Sequence, residues 1–300
     1  MKDLFERFNY PISVVAHDAG AANLINSLIN KIPTPEIFFS LSGPAYEIIS
    51  KNRKDLINLK VNEAVKYSKL LISGTSNSLI DLEHDARKAA KKFNVFSISI
   101  IDHWVNYKER FIRNKKEIFP DEIWVSDEYA FVKAKKCFQD QVIFKFQNFY
   151  LKNEVQKIKK IKQTLVSSKT IKFLYLLEPF DNNWGNSKLK GEWHALDYFM
   201  KNIKKLTFSM PAEIILKTHP SECDDKYDDW CKNNSEIHHI KVDKNSSLSE
   251  LIGWSDYVVG CQTAAMIIAL EAGKKVICSL PKFAPRCKLP HNGIIHLKSI

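Results

Sequence analysis

Chemistry-bearing residues cluster at the ends of apolar runs in this chain. The run Ile214–Leu216 closes on Lys217-Thr218-His219-Pro220. The run Tyr257–Val259 closes on Gly260-Cys261-Gln262-Thr263, which opens a helix-type segment, Ala264–Ala272, with Glu271 near its end. A buried strand does not choose such polar groups, and in open α/β sheets ligands bind beyond the carboxyl ends of the strands. A helix N-terminus placed there receives anions through its free N–H groups. His219 and the amides around Gln262 and Thr263 therefore form a candidate phosphate site. Thr263 is also a natural helix cap. Lys217 either pairs with the phosphate or is an ordinary outward strand residue.

Proton transfer needs a carboxylate or imidazole at hydrogen-bond reach of the reacting group. Asp18, next to His17, follows the apolar run 12–16, and Asp102, next to His103, follows the run 95–101. Asp18 is the first candidate base. Asp102 is the second, with a helix cap or a buried partner for Arg110 or His103 as its plain alternative. Glu178, Asp127 and His17 complete the set. The stretch Ser73–Ser78 offers hydroxyls and amides to an acceptor, or is a capping turn.

The elements that position these groups are short β-branched runs separated by helix-length segments, the pattern of buried parallel strands with crossover helices. In the first half, strands at 12–16, 36–40, 69–72, 95–101 and 122–126 alternate with helices at 21–30, 46–51, 80–93 and 130–137. Four of these strands end in HDAG, SGTSNS, IDHW and VSDE. In the second half the strand 171–177 ends in Glu178-Pro179-Phe180, and a ligand-facing loop, 181–191, precedes a helix at 192–206. The runs at 214–216, 257–259 and 276–280 follow, and a Pro-rich tail leads to a last strand at 294–297. The expected fold class is α/β, with two Rossmann-like, doubly wound parallel-sheet domains facing a cleft. The expected domains are 1–150 and 170–300, joined by a basic linker helix over 151–169.

Bulk properties narrow the function classes. The chain has 300 residues, 45% hydrophobic and 26% charged, enough for two ordinary cores. The N-terminus lacks a signal-peptide pattern, and no apolar run nears the roughly 18–20 residues that span a bilayer. A cytoplasmic protein is expected, in peripheral contact with the inner face of the membrane at most. The net charge of +11 comes from scattered basic runs without a nucleic-acid module, so nucleic acid is not an expected partner. Solvated basic faces, or attraction to an anionic membrane or acidic glycan, remain. Six cysteines without a CxxC pair favour buried thiols over disulfides. A zinc site from His238, His239, Cys223 and Cys231 is disfavoured, because adjacent strand residues face opposite ways. No G-x-S-x-G elbow marks a serine hydrolase, and the first turn is not the dinucleotide G-x-G-x-x-G.

The tandem α/β halves, the KTHP strand end and the segment SDYVVGCQTAAMIIALEAGKKVI together resemble GT-B glycosyltransferases. The His219-Pro220 pair is similar to the His-Pro motif of bacterial sialyltransferases, polysialyltransferases, Kdo transferases and CDP-glycerol polymerases; Gln262-Thr263 stands where polysialyltransferase-like enzymes carry a Ser-Ser or Ser-Thr pair. The resemblance implies a metal-independent, inverting transferase that takes a sugar, CMP-activated in those families, from a nucleotide donor to a bacterial surface glycan or lipid-linked glycan of capsule or lipopolysaccharide type. It implies a ribose contact for Glu271, a base on the N-terminal domain, and no cofactor beyond the nucleotide-sugar co-substrate. Two alternatives share the plan: a UDP-sugar 2-epimerase, and a non-catalytic nucleotide-sugar- or glycan-binding protein.

Overall fold

A computed structural model describes residues 8, 10–32, 36–51, 53–76, 80–161, 170–179, 184–185, 190–208, 210–219, 222, 225–234, 239–243 and 245–300. Pro220, Asn77, Ser78, Cys223, His238, Phe180, residues 181–183 and 186–189 of the loop, and 162–169 of the expected linker helix lie outside the described residues. The chain forms two compact units, Met1–Tyr150 and Leu151–Ile300.

The first unit runs β1 (Ile12–Ala16), α1 (Ala19–Ile29), β2 (Ile37–Leu41), α2 (Gly43–Ser50), α3 (Val61–Lys66), β3 (Leu70–Ser73), α4 (Leu82–Phe93) and β4 (Phe96–Ile101). A two-stranded hairpin, β5 (Ile112–Arg113) and β6 (Lys116–Glu117), precedes β7 (Glu122–Val125), α5 (Glu128–Cys137) and β8 (Val142–Lys145), after which α6 (Phe149–Lys160) leads into the second unit. Its main sheet has the order β2-β1-β3-β4-β7-β8, parallel throughout. β1 and β3 are buried along their whole lengths, which is why they read as mostly apolar runs with one buried serine each. The core gathers Val14, Ile25, Leu28, Ile72, Ile98 and Trp124, and the Trp124 indole donates to Glu122 Oε2 at 2.8 Å. Burying the indole is tolerable because its N–H is satisfied.

The second unit repeats the scheme: β9 (Ile171–Leu176), α7 (Gly191–Thr207), β10 (Ala212–Lys217), α8 (Asp228–Asn234), β11 (His239–Val242), α9 (Leu248–Trp254), β12 (Tyr257–Gly260), α10 (Ala265–Glu271), β13 (Lys275–Cys278) and β14 (Ile294–His296). The order is β11-β10-β9-β12-β13-β14, again all parallel. The strand order reverses beside β9, so the loops after β9 and β12 flank a switch point, the place where such sheets take ligands. Phe173, Tyr175, Phe199, Leu216 and Ile277 fill the core.

Two expectations change in detail. The basic helix starts at Phe149, and its later turns join the second unit: Ser249 Oγ donates to Glu154, and Ile161 lies against Gly253. Strand β8 and helix α3 add to the expected elements.

Candidate functional site

In the first unit, β1 delivers His17 and Asp18 to the start of α1, and β4 delivers Asp102 beside them. His17 Nδ1 and Asp18 Oδ1 are 2.9 Å apart, with the two side chains 23% and 36% exposed. Asp18 accepting from Nδ1–H leaves Nε2 as the imidazole's lone pair. The ring lies over Gly43, whose φ is +52° and where a Cβ would come within 2.7 Å of it. Both facts require glycine at the α2 N-terminus. The His17 N–H donates to Glu83 Oε1 at 2.9 Å, and the Ser76 hydroxyl donates to the same oxygen at 2.5 Å. Glu83, on the first turn of α4, is buried, and its carboxyl is pushed above the usual carboxylate range by desolvation.

Asp102 is held by Arg110, whose Nη1 sits 2.8 Å from Oδ1; the two side chains are 15% and 11% exposed. The same nitrogen donates to Thr75 O (2.6 Å) and Thr75 Oγ1 (2.9 Å), and Arg110 Nε donates to Val105 O. A Cβ on Gly20 would lie 2.0 Å from Asp102 Oδ2. The small residues of the first turn thus admit a neighbouring carboxylate. Asp18 feels that carboxylate: burial raises its pKa first, the charge of Asp102 adds to the rise, and His17 and Arg110 oppose it.

The other sequence candidates in this unit have internal partners. Asp127 caps α5, accepting from Ala130 N at 2.7 Å, and also accepts from the Trp104 indole at 2.9 Å. Ser73 Oγ meets Ser99 Oγ at 2.8 Å, and Thr75 Oγ1 donates to Ile100 O at 3.0 Å. The Ser73 and Thr75 hydroxyls hold the sheet ends together, and the Ser76 hydroxyl ties the turn to Glu83.

In the second unit, the carboxyl ends of β9 and β12 meet through Glu178. Its Oε1 accepts the N–H groups of Cys261 (3.0 Å), Gln262 (2.7 Å) and Thr263 (2.8 Å). The amides expected to cradle a phosphate therefore already hold a carboxyl oxygen, supplied by the chain itself. Burial pushes the Glu178 pKa up to about 7, against the pull of those three donors. The folded chain keeps this proton to near neutrality, whereas an ordinary glutamate releases it near 4.5, so the group lowers stability as pH rises through that interval.

Thr263 Oγ1 accepts from Ala265 N at 3.3 Å, and Gln262 Oε1 accepts from Lys288 N at 3.2 Å. Lys217 Nζ donates to the carbonyls of Asp243 (3.3 Å) and Ser246 (2.9 Å), pinning the turn before α9. His219 follows β10, and its N–H donates to Glu222 Oε2 at 3.3 Å while its carbonyl accepts from Glu222 N at 2.9 Å. Glu222 is in turn held by Lys226 Nζ at 2.5 Å and Tyr227 OH at 3.0 Å. Glu271 is exposed on the last turn of α10. The structure thus groups Gln262 and Thr263 around Glu178, puts His219 on a braced turn at the end of the neighbouring β10, and leaves Glu271 at the far end of its helix.

Glu83 and the Glu178–amide contact were not singled out for these roles in the sequence, whereas Arg110 as a buried partner of Asp102 was one of the alternatives it offered. Glu83 left a signal: with Ala86 and Ala90 it shares the buried face of an otherwise charged helix.

No protein-family model and no curated protein matches the chain, so sequence comparison gives no support to the sialyltransferase or Kdo-transferase resemblance. Solved structures do match. A UDP-N-acetylglucosamine 2-epimerase aligns with a TM-score of 0.62 at 9% identity, over 92% of this chain and 79% of the other. The Neisseria meningitidis UDP-GlcNAc 2-epimerase bound to UDP-GlcNAc aligns at 0.58 and 10% identity, over 89% and 81%. The S. aureus MnaA–UDP structure aligns at 0.59 and 11%, over 89% and 78%. The fold is of the GT-B type. Its two parallel-sheet, Rossmann-like units are those the sequence pattern anticipates. Among the described residues, no helix is long and apolar enough to cross a membrane.

Proposed function

We propose that this protein is a glycosyltransferase acting on a nucleotide-activated sugar, with proton chemistry assigned to the first unit and nucleotide binding to the second. The observation that carries the reading is the His17–Asp18 contact at the end of β1, partly open to solvent and flanked by the Asp102–Arg110 pair. An imidazole with Nδ1–H held by a carboxylate is a general base at Nε2. In the proposed reaction, Nε2 takes the acceptor hydroxyl's proton as its oxygen attacks the anomeric carbon and the nucleotide leaves with the bonding electrons. Asp18 stabilises the imidazolium that forms. His219 and the amides of Cys261–Thr263 take the departing phosphate, which displaces the Glu178 carboxylate. Gln262, Thr263, Lys217 and Glu271 remain proposed nucleotide-side residues; the Lys217 ammonium acts there by holding its turn. The acceptor is proposed to be a bacterial surface glycan or lipid-linked glycan. The donor is proposed to be CMP-activated on the strength of the His-Pro resemblance alone. No cofactor or metal is proposed.

A second reading, a UDP-sugar 2-epimerase, is favoured by the proximity of Asp18 and Asp102, since two carboxyl groups serve proton removal and return at a sugar carbon. The fold shared with UDP-GlcNAc 2-epimerases is compatible with it.

Thermal-shift titration with CMP, CDP, UMP, UDP, GDP and dTDP, with and without magnesium, tests the nucleotide assignment. The expected result is a selective, magnesium-independent rise in melting temperature. Because the phosphate competes with ionised Glu178, affinity should strengthen as pH falls through about 7. In Glu178→Gln, which retains an acceptor oxygen but not the charge, this dependence should be lost. A shift equal for all nucleotides, or the same pH dependence in Glu178→Gln, would remove the amide site from the account.

A further inference from the structure

Three cysteines converge beneath the Glu178 contact. Cys278, the last residue of β13, donates its thiol to the Cys261 carbonyl at 3.1 Å. Cys287, where the chain returns after a Pro-rich loop, donates to the same oxygen at 3.5 Å. Two thiols directed at one carbonyl are neighbours. Cys278 is fully buried, whereas Cys287 is only partly buried. The two are chemically unequal. The neighbouring Cys278, the Leu289 N–H and the Lys298 charge bring the Cys287 pKa down to about 7, and the Cys287 neighbour together with burial pushes Cys278 far up. A reachable thiolate beside a buried thiol is the arrangement of an attacking and a resolving cysteine. Cys261, also buried, turns its sulfur toward Ser279 Oγ at 3.9 Å.

We infer that Cys287 and Cys278 form a reversible oxidative modification site, which hydrogen peroxide converts into an intramolecular disulfide. The Cys287 thiolate attacks a peroxide oxygen, the O–O bond breaks, and with one proton taken up the products are a sulfenic acid and water. The Cys278 sulfur then attacks the Cys287 sulfur, the S–O bond breaks, and the hydroxyl leaves as water with the Cys278 proton. One peroxide is reduced by two electrons and two thiols are oxidised by two. The disulfide removes both S–H donors from the Cys261 carbonyl and staples the ends of the loop that carries the exposed Phe283. Lys288, which donates to Gln262, follows directly. Oxidation thereby reaches the Glu178 contact.

The test uses the full chain, reduced, freed of reductant and treated with dilute hydrogen peroxide slightly above neutral pH. Non-reducing peptide mapping by mass spectrometry should show one crosslink, Cys278 to Cys287, lighter by two hydrogens and lost on adding a thiol reductant. Cys278→Ser should leave Cys287 as a sulfenic acid trapped by dimedone, and Cys287→Ser should leave Cys278 unmodified. A crosslink through Cys261 or Cys137, or a Cys287 unmodified at peroxide that oxidises free cysteine, would overturn the inference. The mapping of the unmutated chain decides this without reference to the enzyme's substrate.

Discussion

Replacing Asp18 by Asn is expected to lower turnover by roughly 10²–10⁴-fold, because the general base His17 loses the carboxylate that orients it, while nucleotide affinity is unchanged. Asn keeps the size of the side chain but removes the charge that holds Nδ1–H and steadies the imidazolium, and it permits the wrong His17 tautomer. The effect therefore belongs in kcat, because the imidazolium forms only as the reaction proceeds. The pH profile supplies a readout that a structural role would not move. The base works unprotonated, so activity rises with pH through an acid limb. His17 and Asp18 form a contact pair at 2.9 Å. Burial and the Asp102 charge raise the Asp18 pKa, and Asp18→Asn should displace the limb by removing one member of the pair. A variant with full turnover and an unmoved limb would take the base away from β1.

The second large effect is on stability. Arg110→Met should destabilise the first unit by about 3–5 kcal/mol, because it strands the Asp102 carboxylate in a largely buried place. A fall on the order of 10 °C in melting temperature follows for a unit of this size. The arginine also satisfies Thr75 and the Val105 carbonyl, so part of the loss comes from those groups. Adding Asp102→Asn to Arg110→Met separates the two contributions. The double variant should recover part of the stability, since the uncompensated charge is gone. A double variant no more stable than the single one would show that the ion pair is not what Arg110 contributes, and Asp102 would again be available as a base.

These two residues also show how far the sequence could be read. The turn His17-Asp18-Ala19-Gly20 was legible as a place of close approach, because small residues follow a buried strand. Only the fold reveals that the approaching group is the Asp102 carboxylate, above Gly20. The alternative weighed for Asp102, a buried partner of Arg110, matches the geometry. The parallel strands announced themselves because both their faces are covered, leaving continuous β-branched runs. β8 did not: it lies at the sheet edge and its pattern is half-exposed, so nothing forces the residues Val142–Lys145 to be apolar throughout. Helix α3 spans six residues, too short for a periodic signal. The amides around Thr263 were legible as an anion nest from a small-polar turn before a helix. Their occupant was not, because Glu178 reaches them across the sheet from the end of β9. Lys217 shows the same limit: its ammonium is committed to carbonyls beyond a turn that no local pattern predicts.

The central claim is that the chain transfers a sugar from a nucleotide, and the direct measurement is release of free nucleotide from candidate nucleotide sugars with and without a glycan acceptor. The account predicts release that depends on acceptor, yields a glycosylated product and falls by the stated factor in Asp18→Asn. Interconversion of the nucleotide sugar with its C2 epimer, without acceptor and without net nucleotide release, would contradict the transferase reading and establish the epimerase instead.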